Sequence, residues 1–146
     1  MDARDAVQRM TLFRGAEPAD TEAVAAIAEP RAYAAGEHLF DQFHPADALY
    51  AIVLGLVEIT TKGKETPIAR LSSGQSIGDL AFFERDDYGA SAYTREATHV
   101  LRIPFAGLDR LIAERAGLAS VFYRNAANLF AHHLRQLAAE RDRPYL

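Results

Sequence analysis

Cysteine is absent from this chain of 146 residues. Its absence excludes disulfides, zinc–thiolate sites, iron–sulfur clusters and a cysteine nucleophile, and it fits a reducing cytoplasm, the compartment we expect. Long apolar runs are absent too, since none approaches the roughly 18–20 residues that span a bilayer. The first residues carry no basic-then-apolar signal peptide. We therefore expect no membrane partner.

Positive charge is scarce. The chain has 16 basic and 20 acidic side chains, which gives a formal net charge of −4. A protein that grips phosphate backbones usually leans basic, so we expect no DNA partner. The length suits one domain over residues 1–146, and 49% hydrophobic residues are typical of a globular chain.

Recognised catalytic and metal-binding patterns are missing as well. The sequence contains neither a Gly-x-Ser-x-Gly nor a Gly-Lys-Ser/Thr motif. The acids Glu84, Asp86 and Asp87 form a charge run typical of a solvated loop, with no nucleophile near them in sequence. His132 and His133 are adjacent, so on a helix they point about 100° apart and cannot easily share a metal. We expect no enzymatic activity, no metal and no cofactor.

The chain divides into three zones. Residues 1 to about 30 read as helical, with a helix over 18–28 that Pro18 begins, and Leu12 and Phe13 are expected to pack on the body. Residues from about 31 to 103 form short apolar runs, β-branched or aromatic, at intervals of about 8–12 residues, which indicates an antiparallel sandwich, roll or barrel. Residues from about 104 to 141 read as helical again, and the end at 141–144 reads as frayed.

The last predicted helix, about 118–141, follows an interruption at Gly117 and carries two apolar lines. One interpretation is that one line covers the β body while the other meets a partner helix in a homodimer. The other interpretation is a single broad core-facing surface. The dimer line is Tyr123, Ala127, Phe130, Leu134 and Leu137, and the second line is Leu118, Phe122, Ala126 and Leu129.

The most informative stretch is residues 71–83, where Gly74 and Gly78 precede Asp79 and a one-turn apolar helix. Glycine allows a ligand to approach the backbone, and free N–H groups at a helix start favour an anion. The carboxylate of Asp79 is suited to accept hydrogen bonds from ribose hydroxyls. The stretch therefore suits a sugar-phosphate ligand, and the alternative is an ordinary glycine-rich turn into a short helix.

From about Leu12 to Leu137 the chain resembles the cyclic nucleotide-binding domain of bacterial catabolite-activator-type regulators and kinase regulatory subunits. The matching stretches, in order, are residues 33–40, 47–59, 71–81 and 103–105. The resemblance implies a mainly β, α+β fold: an eight-stranded antiparallel β-roll or jelly roll with an N-terminal helix and C-terminal helices. It also implies a nucleotide-like ligand, cAMP or cGMP.

The resemblance assigns roles to the cassette, the name used here for residues 71–83. Gly78 and the N–H groups of Leu80 and Ala81 would face the cyclic phosphate. Asp79 stands where the family prefers glutamate and would take the ribose 2′-hydroxyl. Because aspartate is one methylene shorter than glutamate, we expect a water to bridge this contact.

The family's phosphate-binding arginine has no counterpart, because Tyr88 stands at its position. Losing a charge-assisted pair worth about 1.5–3 kcal/mol lowers affinity at least tenfold. Arg85 and Arg95 flank the loop as candidate substitute cations. Ser91 matches the family's hydroxyl position, and Ala90 matches the small residue before it.

Two other departures from the family's sequence pattern also indicate a changed pocket. Phe43 and His44 replace a Gly-Asp pair, so we expect a different turn there, and the part of the last helix nearest the pocket offers only Leu134, Leu137 and Ala138. The sequence contains no second helical unit with the turn and basic face of a helix-turn-helix. The chain could be a fragment of a longer regulator. We expect a non-enzymatic sensor module with a remodelled pocket and weak or altered cAMP or cGMP binding. The alternative is a ligand-free module for dimerisation or protein interaction.

Overall fold

The computed structural model describes residues 2–63 and 66–141, so the predicted fraying at 142–144 lies outside the described part. The helices are α1 Ala3–Arg9, α2 Pro18–Ile27, α3 Asp79–Glu84, α4 Phe105–Glu114 and α5 Ala116–Glu140, with a 3₁₀ turn at Thr11–Phe13. The strands are β1 Glu29–Tyr33, β2 His38–Phe40, β3 Ala48–Leu54, β4 Val57–Thr60, β5 Ala69–Leu71, β6 Ser76–Ile77, β7 Ser91–Thr94 and β8 Thr98–Pro104.

The eight strands form two antiparallel sheets of four strands each. The first sheet has the order β1-β8-β3-β6 and the second has the order β2-β7-β4-β5. The predicted eight-stranded roll with helices at both ends is therefore confirmed. Neither β1, with the sequence Glu-Pro-Arg-Ala-Tyr, nor the very short β6 inside the cassette contains an apolar run that would predict a strand.

The first sheet contributes side chains to two cores, one on each of its faces. Alternate side chains of a strand point to opposite faces, so one strand can serve both cores. Leu49 and Ala51 of β3 belong to the core shared with the helices. Tyr50 and Ile52 belong to the core between the two sheets. The strand therefore reads as a continuous apolar run, and its register fixes which residues face the second sheet.

The helical layer closes over one face of the first sheet. Phe122 of α5 is fully buried, and its ring centroid lies 5.5 Å from that of Phe13 and 5.8 Å from that of Phe82. Leu12 and Phe13 are 0% and 1% exposed, as the sequence predicts. The break before the last helix falls at Arg115 and not at Gly117, because Arg115 leaves helical geometry where its guanidinium pairs with Asp20 at 3.0 Å.

The turn between β3 and β4 requires glycine. Gly55 has a φ of 113°, and a Cβ placed there would lie 2.7 Å from the Cα of Thr98 and 2.8 Å from the carbonyl oxygen of Ala97. Replacement by alanine thus adds a clash with backbone to the cost of the left-handed conformation.

We predict that Gly55→Ala lowers the free energy of unfolding by about 3 kcal/mol or more, because neither backbone contact can move without disturbing β8. The matched control is Gly36→Ala, since Gly36 has a φ of 85° and open space around it. That control is expected to cost about 1–2 kcal/mol. Urea denaturation measures both, and equal losses would show that the close approach is unimportant.

Candidate functional site

The cassette is held against β3 by Gly78. This residue caps α3 with φ 88° and ψ 0°, and a Cβ there would lie 2.9 Å from the carbonyl oxygen of Ala48. Both the backbone conformation and the close approach demand glycine. The start of α3 is thereby fixed at the edge of the first sheet.

Asp79, the first residue of α3, is partly buried. Its carboxylate accepts a hydrogen bond from the N–H of Leu80 at 3.2 Å, and the hydroxyl of Ser76 lies 3.5 Å away. Burial raises the pKa of Asp79, and the nearby N–H groups, the charge of His133 on α5 and the Ser76 hydroxyl only partly oppose that rise. A carboxyl group whose pKa is raised by folding lowers the stability of the folded state at neutral pH, where the group is ionised.

Tyr88 is buried beside the cassette, with only 4% of its surface exposed. Its ring stacks on that of Phe40, with 3.8 Å between centroids and 10° between planes. Its hydroxyl donates to the carbonyl of Ala48 at 2.8 Å and accepts from the Ala48 N–H at 3.3 Å. Its Cε1 lies 3.4 Å from the point that a Cβ on Gly78 would occupy. Burial raises the pKa of Tyr88 to about 12, so the side chain is a neutral phenol.

The loop that contains Phe43 and His44 is bound to the Tyr88 segment. The N–H of Phe43 donates to the Tyr88 carbonyl at 2.8 Å, and the N–H of Tyr88 donates to the His44 carbonyl at 3.1 Å. Phe43 itself adopts a φ of 72°, the left-handed conformation that glycine favours, although its ring is 64% exposed. This conformation costs about 1–2 kcal/mol in a residue with a side chain, which the hydrogen bonds offset.

Neither candidate substitute cation turns toward Tyr88. Arg85 makes two hydrogen bonds to Asp109, at 2.8 and 2.6 Å, and lies 4.6 Å above the Phe82 ring. Arg95 pairs through Nε with Glu58 at 3.0 Å. In this structure both guanidinium groups are therefore engaged by acids away from the phenol of Tyr88.

A cation that sequence reasoning missed lies at this end of the roll. Arg102 of β8 sits opposite Tyr50, on the face directed at the second sheet, and its side chain is 22% exposed. It pairs with Glu29 at 2.7 Å and with Asp47 at 2.9 Å. The alternation of β8 was the available signal, because Val100 two residues earlier faces the same space.

The hydroxyl of Ser91 does not join the cassette. Ala92 lies in the core between the sheets, so the neighbouring Ser91 side chain points to the outer face of the second sheet. There it accepts a hydrogen bond from the N–H of Gln42 at 2.9 Å and lines a shallow cleft of about 430 Å³ with Thr60 and Lys62. The structure thus directs Ser91 outward, away from the cassette, and its expected contact with a phosphate stays a prediction. Half-buried Ala90 ends the loop before β7.

The two apolar lines of α5 have different surroundings. Leu118, Phe122 and Ala126 are at most 3% exposed, whereas Tyr123, Leu134 and Leu137 are 47%, 48% and 49% exposed. Within the dimer line, Ala127 is exposed and Phe130 is partly buried. Burial therefore separates the two lines in part, since Phe130 of the dimer line packs against the core, and the dimer interpretation stays a prediction.

Of the residues expected to give apolar cover over the pocket, Leu134 and Leu137 are half exposed and Ala138 is buried. The α5 residue whose charge acts on Asp79 is His133. Helical geometry explains the difference, because neighbours on α5 point about 100° apart, and the sequence did not reveal which line faced the body.

A two-sheet roll with a short helix begun by a left-handed glycine is the arrangement of the cyclic nucleotide-binding class. A family model described as the cyclic nucleotide-binding domain matches residues 30–115. The chain belongs to this family of regulatory domains.

Curated relatives extend the match beyond the family model. A cyclic AMP receptor protein of Thermus thermophilus is 28% identical over 134 residues, which cover 90% of this chain and 60% of the relative. A cAMP-dependent protein kinase regulatory subunit of Emericella nidulans is 24% identical over 106 residues, covering 73% of this chain and 26% of the relative. The chain thus spans about 60% or less of these relatives.

Solved structures share the fold. The catabolite activator protein of Thermus thermophilus superimposes with a TM-score of 0.77 at 27% identity, covering 90% of this chain and 62% of that one. The sensor domain of the transcriptional regulator DNR from Pseudomonas aeruginosa gives a TM-score of 0.73 at 19% identity, covering 86% and 91%. The second likeness is one of fold alone.

Within residues 2–63 and 66–141, no helix is both long enough and apolar enough to cross a membrane. The same residues contain no group of three or more His, Asp or Glu side chains placed to hold a metal ion.

We predict that Asp79→Asn raises the melting temperature at neutral pH. A raised carboxyl pKa means that the folded state loses stability as pH rises through it, and asparagine removes that loss. The advantage of the variant should shrink toward about pH 4, where the usual aspartate is half protonated.

The matched control for Asp79→Asn is Asp109→Asn. Arg85 lowers the pKa of Asp109, so this variant should be less stable than the wild type at neutral pH and should lose that difference in acid. Thermal unfolding at several pH values measures both. A lower melting temperature of Asp79→Asn at neutral pH would contradict the account of Asp79.

Proposed function

We propose that this chain is a non-enzymatic regulatory module of the cyclic nucleotide-binding family whose pocket is remodelled and binds cAMP or cGMP weakly. The observation that carries the proposal is the position of Tyr88. Its phenol lies against Gly78 and bonds the backbone of Ala48, at the place in the sequence where the family has its phosphate-binding arginine.

The charges near this place support weak binding of an anion. Arg102 is the basic group on the inner face, and Glu29 and Asp47 already pair with it. A phosphate would have to displace a carboxylate to gain that guanidinium. Because a charge-assisted pair is worth about 1.5–3 kcal/mol, its loss corresponds to roughly a tenfold or greater loss of affinity.

The outer side of the cassette is also unfavourable to a phosphate. A cleft of about 300 Å³ there is lined by Ala81, Arg85, Asp86 and Asp87, among others. Arg85 is bound to Asp109, so the two aspartates dominate the charge of this cleft. Like charges repel a phosphate at either approach.

We predict that calorimetric titration of the wild type with cAMP or cGMP gives measurable heat only near millimolar ligand. Tyr88→Arg should bind at least tenfold tighter, because it restores a guanidinium at the family's position. Tyr88→Phe is the control, since it removes the hydroxyl without adding charge. Circular dichroism verifies that each variant is folded. Micromolar binding by the wild type that Gly78→Trp abolishes would contradict weak binding.

A second candidate function is a ligand-free dimerisation module, and the exposed line on α5 favours it. Tyr123, Ala127, Leu134 and Leu137 present apolar surface on a helix that is already anchored by its other side. Apolar positions at spacings of four and three suit a pair of helices packed side by side. In this candidate the partner is a second copy of the chain or another protein helix.

We predict that light scattering at about 100 µM reports a dimer for the wild type, since association follows concentration. Leu134→Glu should shift the chain to monomer, because a carboxylate would enter an apolar interface. Gln136→Glu is the matched control, since it adds the same charge at an exposed neighbouring position. A monomeric wild type would rule out dimerisation through α5.

A further inference from the structure

The edge of β3 beside the cassette offers two backbone groups that no strand pairs. β6 pairs only Tyr50 with Ile77 and Ala51 with Ser76, so Ala48 lies beyond its end. The N–H and carbonyl of Ile52 bond residues on the β6 side of β3, so the even-numbered residues of the strand direct their backbone groups there. Buried backbone groups need partners, and the Tyr88 hydroxyl serves both groups of Ala48.

The space that the Tyr88 ring fills is flat and apolar. Phe40 forms one wall, parallel to the ring at 3.8 Å, and Phe40 in turn lies 5.8 Å from Tyr50. Gly78 forms an edge of the space, because a Cβ on this residue would lie only 3.4 Å from Cε1 of the Tyr88 ring. A flat ring with one polar end thus matches both the walls and the backbone groups.

The walls are supported without the phenol. The main chain at Tyr88 is fixed by two hydrogen bonds to Phe43 and His44, and Gln42 donates from Nε2 to the Gly89 carbonyl at 3.1 Å. Gly78 is fixed by the approach to β3 described above. Removal of the Tyr88 side chain should therefore leave a slot rather than a collapsed loop.

We propose that Tyr88 acts as a tethered ligand in a preformed slot, and that this slot recognises neutral aromatic molecules that carry a hydroxyl group. The inference deepens the proposed function, on which it rests, by naming a ligand class for the remodelled pocket. The carboxylate of Asp47 lies near the slot, and Arg102 is paired with two acids, so a neutral ring suits the slot better than an anion.

The tether explains why a free molecule must compete. A side chain attached to the slot has an effective concentration in the millimolar range or above. A free aromatic alcohol therefore enters the wild-type slot only when it binds tightly enough to displace Tyr88. Removing the side chain removes this competition, which makes Tyr88→Ala the informative variant.

The experiment uses the full chain carrying Tyr88→Ala, with phenol as the probe. Phenol is expected to raise the melting temperature of this variant in a concentration-dependent manner and to leave the wild type unchanged at the same concentrations. Benzene should bind at least tenfold more weakly, because it leaves the Ala48 N–H and carbonyl unpaired. Phenyl phosphate should bind more weakly than phenol, since it brings charge near the carboxylate of Asp47.

The matched control is Tyr93→Ala. Tyr93 lies on the outer face of the second sheet, where its hydroxyl donates to Glu58, so phenol should not rescue this variant. If Tyr88→Ala is unfolded alone, refolding with phenol should restore its circular dichroism spectrum. Failure of phenol to stabilise or refold Tyr88→Ala would overturn the proposal of a preformed slot. Equal rescue of Tyr93→Ala by phenol would overturn it as well.

The two proposals fail in different ways. Tight cAMP binding by the wild type would contradict the proposal that the pocket binds cyclic nucleotides weakly, whatever effect phenol has on Tyr88→Ala. Weak cAMP binding by the wild type, together with tighter binding of phenyl phosphate than phenol by Tyr88→Ala, would overturn only the neutral aromatic slot.

Discussion

The pair of hydrogen bonds between the Tyr88 hydroxyl and the backbone of Ala48 is the contact on which the architecture of the site depends. It completes a sheet edge that β6 is too short to cover, and it places a neutral ring against Gly78. Phe40 stacks on the same ring, and separate backbone hydrogen bonds join the Tyr88 segment to the loop that contains the left-handed Phe43. A polar group buried at this depth is stable only when both of its hydrogen bonds are made.

The positive charges near that contact are paired with carboxylates. Arg85, Arg95 and Arg102 each lie against at least one carboxylate, and the acids they bind sit on different elements of the fold. These arginines join β8 to β1, α3 to α4, and the second sheet to the turn after β7. An anion near the cassette therefore meets guanidinium groups that already hold structural partners, and the chain's excess of acids over bases has the same effect at longer range.

The sequence predicts the fold well because strands and helices leave periodic traces. The apolar runs located β3 and β8, and the buried positions of Leu12 and Phe13 followed from their apolar character. Side-chain direction near a loop leaves no such trace. The outward turn of Ser91 depends on the register of β7, and the helix break falls at Arg115, whose side chain pairs with the distant Asp20. The Tyr88 substitution was visible in the sequence, but its bonds to Ala48 required coordinates.

The aromatic side chains of α3 connect the slot to the exposed side of α5. Phe82 and Phe83 follow the cassette glycine, and the Phe83 ring lies 5.4 Å from Phe122, 5.5 Å from Phe130 and 6.0 Å from Tyr123. Tyr123 is half exposed on the line that suits a partner helix. Contact alone transmits nothing, because an occupant shifts α5 only if it binds two positions of α3 with different affinity. The residue to consider is therefore Gly78, where the slot and the start of α3 share one backbone position.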